Sequence, residues 1–163
     1  MKKQTKFLTH GALIGALYVA LTYLQNMLIP GSASMAIQFR LSEALCVLAF
    51  FTPAAIPGLT IGCMVFNLTF SGALPLDWVV GSLATLLAAW AMHRLRRYPL
   101  PALLMPALTN AILVGWELTV YIGGGFWLNA LYVAIGEAVV LLTLGSALSA
   151  AIKKRHLDVR LFQ

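Results

Sequence analysis

Arg40-Leu41-Ser42-Glu43-Ala44-Leu45-Cys46-Val47-Leu48-Ala49-Phe50-Phe51-Thr52-Pro53, followed at once by Ala54-Ala55-Ile56-Pro57-Gly58, settles how often this chain turns back on itself. Read as one broken helix it leaves five long apolar runs; read as a hairpin it leaves six. Proline lacks an amide donor and pushes the residue before it out of helical geometry, so Thr52-Pro53 ends one helix and Pro57-Gly58 launches another. The hairpin gives a short helix over 40–51 and a second over 57–70. Arg40 and Glu43 then lie on one face at i,i+3, where a cation and a carboxylate can pair.

Around this stretch the chain is mostly hydrocarbon. Of 163 residues, 61% are hydrophobic and 10% charged, and the mean hydropathy is +0.88. A soluble domain of that composition lacks the polar surface to cover itself, so the chain reads as an integral membrane protein forming one domain over 1–163. The net charge of +6 does not point to nucleic acid, because the cations gather in clusters between apolar runs, as topology signals do. Cys46 and Cys63 lie inside apolar runs at no redox or metal-ligand spacing and read as small, unbridged core residues.

Upstream, Lys2, Lys3 and Lys6 precede an apolar run over 7–29. It is longer than the core of a secretory signal and reads as an uncleaved first span. Pro30-Gly31-Ser32-Ala33-Ser34 ends it. Downstream, Asp77 is placed to cap a helix over 77–93, a fifth run covers 102–121 and stops at Gly123-Gly124-Gly125, and a sixth covers 129–152. The expected architecture is an all-α membrane bundle of six transmembrane helices, the second and third shorter than the roughly 20 residues a bilayer core requires. With six spans, the N-terminal lysines, the Arg94-Arg96-Arg97 cluster and Lys153-Lys154-Arg155 share one side. Only Arg40 is opposite, so both termini are expected to be cytoplasmic.

Glu43, Asp77, Glu117 and Glu137 then come from four different helices and all fall in the outer half. Capping explains Asp77 and in part Glu43, but a mid-helix Glu137 needs another reason. Ionisable groups at membrane depth cost roughly 2.5–3.5 kcal/mol each on insertion scales and mark substrate or ion paths. An outward-facing polar pocket is therefore expected, with Glu43, Glu117 and Glu137 as acceptors, Arg40 beside them, and Gln38, Asn67 and Asn110 completing the hydrogen bonds. Its ligand should carry several N–H donors, a positive charge, or both. Phe39, Trp116 and Trp127 lie at the same ends, where an interfacial aromatic belt and a stacking platform are both open readings.

No Ser-His-Asp set, no HExxH and no phosphate-cradling GxxxxGK[ST] loop is present, so no catalysis, metal, cofactor or ATP engine is expected in this chain. Such a subunit draws its energy from a partner or from self-association. In the first span Ala12, Ala16 and Ala20 recur every four residues beside Gly11 and Gly15. This smooth face suits either the chain's own helices or a docking partner. A rival reading makes the chain a small proton-coupled transporter, acting as an oligomer with Glu137 as proton carrier.

Gln38-Phe39-Arg40-x-Ser42-Glu43, Ile56-x-Gly58-Leu59-Thr60-Ile61-Gly62-Cys63, the segment 77–89 with Gly81-Ser82-Leu83-Ala84-Thr85, and Asn110-Ala111-x-x-Val114-Gly115-x-Glu117-Leu118 occur in that order. Over nearly its whole length the chain resembles the QueT family, substrate-binding S components of energy-coupling-factor importers. The resemblance implies a six-helix S component in a prokaryotic plasma membrane that captures a solute from outside. It implies docking through Ala12, Ala16 and Ala20 onto a transmembrane coupling subunit (the T component), with ATP consumed by two cytoplasmic ATPases. It also implies a purine-like ligand, a 7-deazaguanine precursor of queuosine. A guanine-like edge suits one bidentate carboxylate and an aminomethyl cation a second, with Arg40 orienting a carboxylate or meeting the ring carbonyl. Which of Glu43, Glu117 and Glu137 meets which group stays open.

Overall fold

The computed structural model describes residues 3–32 and 39–162, with side chains through Val159. Helix α1 spans Lys3–Leu28, a 3-10 helix Leu41–Phe50, α2 Ala55–Thr69, α3 Asp77–Arg94, α4 Pro99–Leu103, α5 Met105–Tyr121, α6 Phe126–Val140, a π-helical turn Leu141–Gly145, α7 Ser146–Lys154 and α8 Leu157–Phe162. Among the described residues there is no strand.

The proline pair makes a tight corner. Thr52 Oγ1 accepts the Ala54 N–H at 3.3 Å, and Pro57 falls in the first turn of α2, where its missing donor costs no hydrogen bond. The run before it is not α-helical as expected but a ten-residue 3-10 helix. At roughly 2.0 Å per residue it spans ~20 Å, against ~15 Å for an α-helix of the same length, so a short run reaches further into the bundle. Ser42 through Ala49 are all buried, and the segment touches α1, α2, α3, α6, α7 and the π turn. It is the axis of the bundle, which is why it is apolar on every side beyond Ser42 and Glu43.

The other helices pack in sequence around it: α1 on α2, α2 on α3, α3 on α5, α5 on α6. The first of these crossings is built from glycines. A Cβ on Gly58 would stand 2.5 Å from the Gly11 carbonyl oxygen, and one on Gly15 would stand 2.8 Å from the Gly58 oxygen, so the two backbones touch. The two small-residue stripes of α1 thus part company. The glycines meet the chain's own α2, whereas Ala12, Ala16 and Ala20 stay exposed and line an open groove of about 650 Å³ between α1 and α2.

Two irregularities lie along the later helices. Pro106 has no N–H to give the carbonyl of Ala102, and the chain breaks at Leu104 between α4 and α5. The expected single helix over 129–152 is continuous from Phe126 to Lys154 but carries the π turn just after Glu137; such turns are frequent at functional sites. Leu13, Leu24, Leu68, Trp90, Ile112 and Leu131 are exposed around the outside, an apolar surface that suits lipid better than water. Three segments, Lys3–Leu28, Pro99–Tyr121 and Phe126–Lys154, are long and apolar enough to cross a membrane, while Leu41–Phe50 and Ala55–Thr69 are apolar but shorter.

Candidate functional site

Arg40 stands at the entrance to the 3-10 helix with its side chain turned inward, 4% exposed. Its guanidinium lies 3.9 Å from Asp77 Oδ2 and 4.0 Å from Cys63 Sγ. Tyr18 and Glu43 are also within its electrostatic reach, as are Glu117 and Glu137. Four acids from the 3-10 helix, α3, α5 and α6 thus lie within electrostatic range of one guanidinium, and all of them are buried. Asp77 opens α3 and Arg94 closes it, so the cluster and the arginine-rich turn lie at opposite ends of that helix.

One face of α1 holds the 3-10 helix in place. Tyr18 donates its hydroxyl to Glu43 Oε1 at 2.6 Å, the Thr22 and Ser42 hydroxyls hydrogen-bond at 2.7 Å, and Gln25 Oε1 accepts the Leu41 N–H at 2.8 Å. Gln25 also donates from Nε2 to the Phe39 carbonyl. Positions 18, 22 and 25 share a face at helical spacing, and the Gln25 contact satisfies one of the donors that a helix start leaves unpaired. The second Glu43 oxygen accepts the Cys46 thiol at 3.1 Å. The cysteines are unbridged and buried in the core as expected, and each also makes a polar contact: the Cys46 thiol bonds Glu43, and Cys63 sulfur accepts from Asn67 Nδ2 at 3.5 Å.

The Asn67 amide also donates to the Asp77 backbone carbonyl at 2.9 Å. Gly81 makes this possible, because a Cβ there would stand 2.8 Å from Asn67 Nδ2. Asp77 does not cap α3 as expected: Leu76 is the N-cap, with no side-chain cap bond. Its carboxylate accepts the Leu74 N–H at 3.4 Å and turns to Arg40, since a buried guanidinium is a stronger partner than a helix-end amide.

Glu117 is 0% exposed with its carboxyl against that of Asp77, and Glu137 Oε2 and Asn67 Oδ1 lack a hydrogen-bond partner. Glu137 is within reach of Glu43 and the Asn110 amide, and Glu117 of Asp77. The structure thus brings Arg40, Glu43, Glu117, Glu137, Asn67 and Asn110 together. It does not bring in the aromatics: Phe39 is 41%, Trp116 50% and Trp127 82% exposed, facing away from the interior. Gln38 lies outside the described residues. Asp77, Tyr18, Cys46 and Cys63 belong to the cluster although sequence reasoning had left them out of the pocket. The polar stripe at 18, 22 and 25 within an apolar span was the signal for Tyr18. Among the described residues no group of three or more His, Cys, Asp or Glu is placed to hold a metal ion.

A bundle jacketed in apolar side chains and carrying a buried, acid-rich interior has the form of a membrane-embedded protein. The family description "QueT transporter" matches residues 8–154, and the chain belongs to that family. Over 89 residues it is 40% identical to "Queuosine precursor transporter QueT" of Lactococcus lactis subsp. cremoris (strain MG1363). The matched region is 52% of this chain and 48% of that protein, so it spans about half the relative's length. No solved structure matches the chain.

Proposed function

We propose that this chain is the S component of an energy-coupling-factor importer, capturing a queuosine precursor of the 7-deazaguanine class from outside the cell. The observation that supports this is the gathering of four buried acids within electrostatic range of Arg40, from elements far apart in the chain, with Glu137 Oε2 left unpartnered. Carboxylates of this kind accept the N–H donors of a guanine-like edge. The name of the Lactococcus relative supports the same substrate class.

In this reading the chain crosses the plasma membrane six times with both termini cytoplasmic, the acid cluster facing outward and the Arg94 end of α3 inward. The open groove along Ala12, Ala16 and Ala20 receives the transmembrane coupling subunit, since small residues permit close helix approach. Two cytoplasmic ATPases supply the energy, and the chain itself hydrolyses nothing.

The purified chain should be thermally stabilised by a 7-deazaguanine and not by thiamine or other vitamins. In liposomes it should accumulate ligand only when the coupling subunit, the ATPases and ATP are all present. Stabilisation by none of the 7-deazaguanines would remove the substrate assignment. Accumulation driven by a pH gradient without ATP would replace this reading with the proton-coupled transporter built on Glu137.

A further inference from the structure

A second groove, of about 380 Å³, lies away from the acid cluster. It opens between the two short helices that follow the breaks in the later chain: α4, set off from α5 at Leu104, and α7, set off from α6 by the π turn. Leu100 and Leu103 of α4 and Phe50, the last residue of the 3-10 helix, line it with hydrocarbon. Across from them Ser146, Ser149, Ala150 and Lys153 come from one face of α7 at helical spacing. Leu103 and Ser146 are the lining residues furthest along their helices from the arginine turn and the C-terminal lysines, and Pro99 and Lys153 are the nearest. The charge at that mouth is unbalanced. Arg94 lies over the Trp90 ring at 5.7 Å and Arg96 donates to His93 Nε2 at 2.8 Å, but among the described residues neither Arg97 nor Lys153 has a carboxylate partner. Four of the chain's five acids belong to the cluster near Arg40, which leaves Asp158 alone at this end. One hydroxyl is also unspent: Thr143 and Ser146 donate back to the carbonyls of Val139 and Leu142, and Ser149 makes no such bond.

We propose that this groove seats one anionic phospholipid, its acyl chain against Phe50, Leu100 and Leu103 and its headgroup phosphate on Lys153 and the Ser149 hydroxyl. An apolar slot that ends at cations fits an amphiphile of negative charge, and basic pockets between transmembrane helices take such headgroups. The lysine stem lies along the slot and carries its ammonium to the headgroup level. A free anion leaves the hydrocarbon walls uncovered, and a zwitterionic lipid brings an ammonium of its own against Arg97 and Lys153. Because Phe50 is part of the seat, the lipid bears on the end of the axial helix opposite Glu43. The seat requires that the chain lie in a membrane, and is independent of the solute it handles.

The probes are dioleoyl phosphatidylglycerol, dioleoyl phosphatidylcholine and glycerol phosphate, titrated onto the full chain in detergent micelles and read by native mass spectrometry. One phosphatidylglycerol should be retained at least about fivefold more tightly than phosphatidylcholine, the size of one lysine at a membrane surface. Lys153→Gln should bring that ratio close to one, whereas Lys154→Gln, the same loss of charge outside the groove lining, should leave it. Equal retention of the two lipids by the wild-type chain overturns the proposal and needs no variant that might fail to fold. Equal effects of the two lysine substitutions overturn it in favour of diffuse charge on this face. Displacement of the lipid by an equal concentration of glycerol phosphate overturns the acyl-chain seat. Ala150→Trp should fill the slot and abolish the preference; lost copurification with the coupling subunit while lipid retention stays unchanged would make the groove a protein contact instead.

Discussion

Tyr18→Phe removes a single oxygen from the middle of the bundle. The lost hydroxyl donates to Glu43 at 2.6 Å, and both residues are 0% exposed. Hydrogen bonds to charged groups contribute about 1.5–3 kcal/mol in soluble proteins. Side-chain bonds between membrane helices average only ~0.6 kcal/mol and reach ~1.7, because the unfolded chain in lipid also finds partners. The Tyr18–Glu43 bond is short and charge-assisted but belongs to the second setting, and Glu43 keeps the Cys46 thiol at 3.1 Å. We therefore expect a loss of roughly 1–2 kcal/mol. Equilibrium unfolding of purified protein in mixed micelles measures it, with Glu43→Gln and the double variant completing a cycle. The cycle should return a coupling energy on the order of 1 kcal/mol, and ligand Kd should rise by up to about tenfold as Glu43 loses its tie to α1. A stability change within about 0.5 kcal/mol, together with a cycle that closes at zero, would show that the hydroxyl does not hold Glu43.

Three further outcomes follow from the same geometry. Gly58→Ala puts a methyl 2.5 Å from the Gly11 carbonyl oxygen and should destabilise by about 1–3 kcal/mol through overpacking; an unchanged melting temperature would show that α1 and α2 part freely. Ala16→Trp projects an indole into the groove and should abolish copurification with the coupling subunit and uptake while sparing ligand binding, so normal copurification would remove this face from docking. Trp127→Ala, at a position 82% exposed, should leave ligand Kd within about twofold, and a loss beyond tenfold would put the indole in the site.

Which acids would meet was legible because each sits at a definite height on a helix whose direction the loops and cations dictate. Glu43, Glu117 and Glu137 could be placed at similar heights that way, and that they hold a ligand is the proposal made above. Asp77 was misread because the first residue of a helix is where a capping carboxylate belongs, and nothing local announces that Arg40 waits inside. Cys46 and Cys63 carried no signal, since a thiol in an apolar run reads as a small hydrophobe until a carboxylate or amide is seen beside it. For the aromatics two readings stood open: Trp127 at a helix end fits a ligand platform and an interfacial belt, and its 82% exposure favours the belt. The 3-10 helix was invisible because ten residues apolar on every side carry no period, whether 3.0 or 3.6.

Helix α1 turns two faces to two different tasks: hydroxyls and an amide toward the 3-10 helix, bare alanines toward the groove. A chimera that swaps only the first helix between relatives would import one specificity and sever the clasp on the other. The smallest segment that could be exchanged with these contacts whole runs from the start of α1 through Thr69, because Tyr18, Thr22 and Gln25 must travel with Glu43, Ser42 and Leu41 and Gly11 and Gly15 with Gly58. Recombination between homologues should leave that stretch whole, and breakpoints should collect after α2.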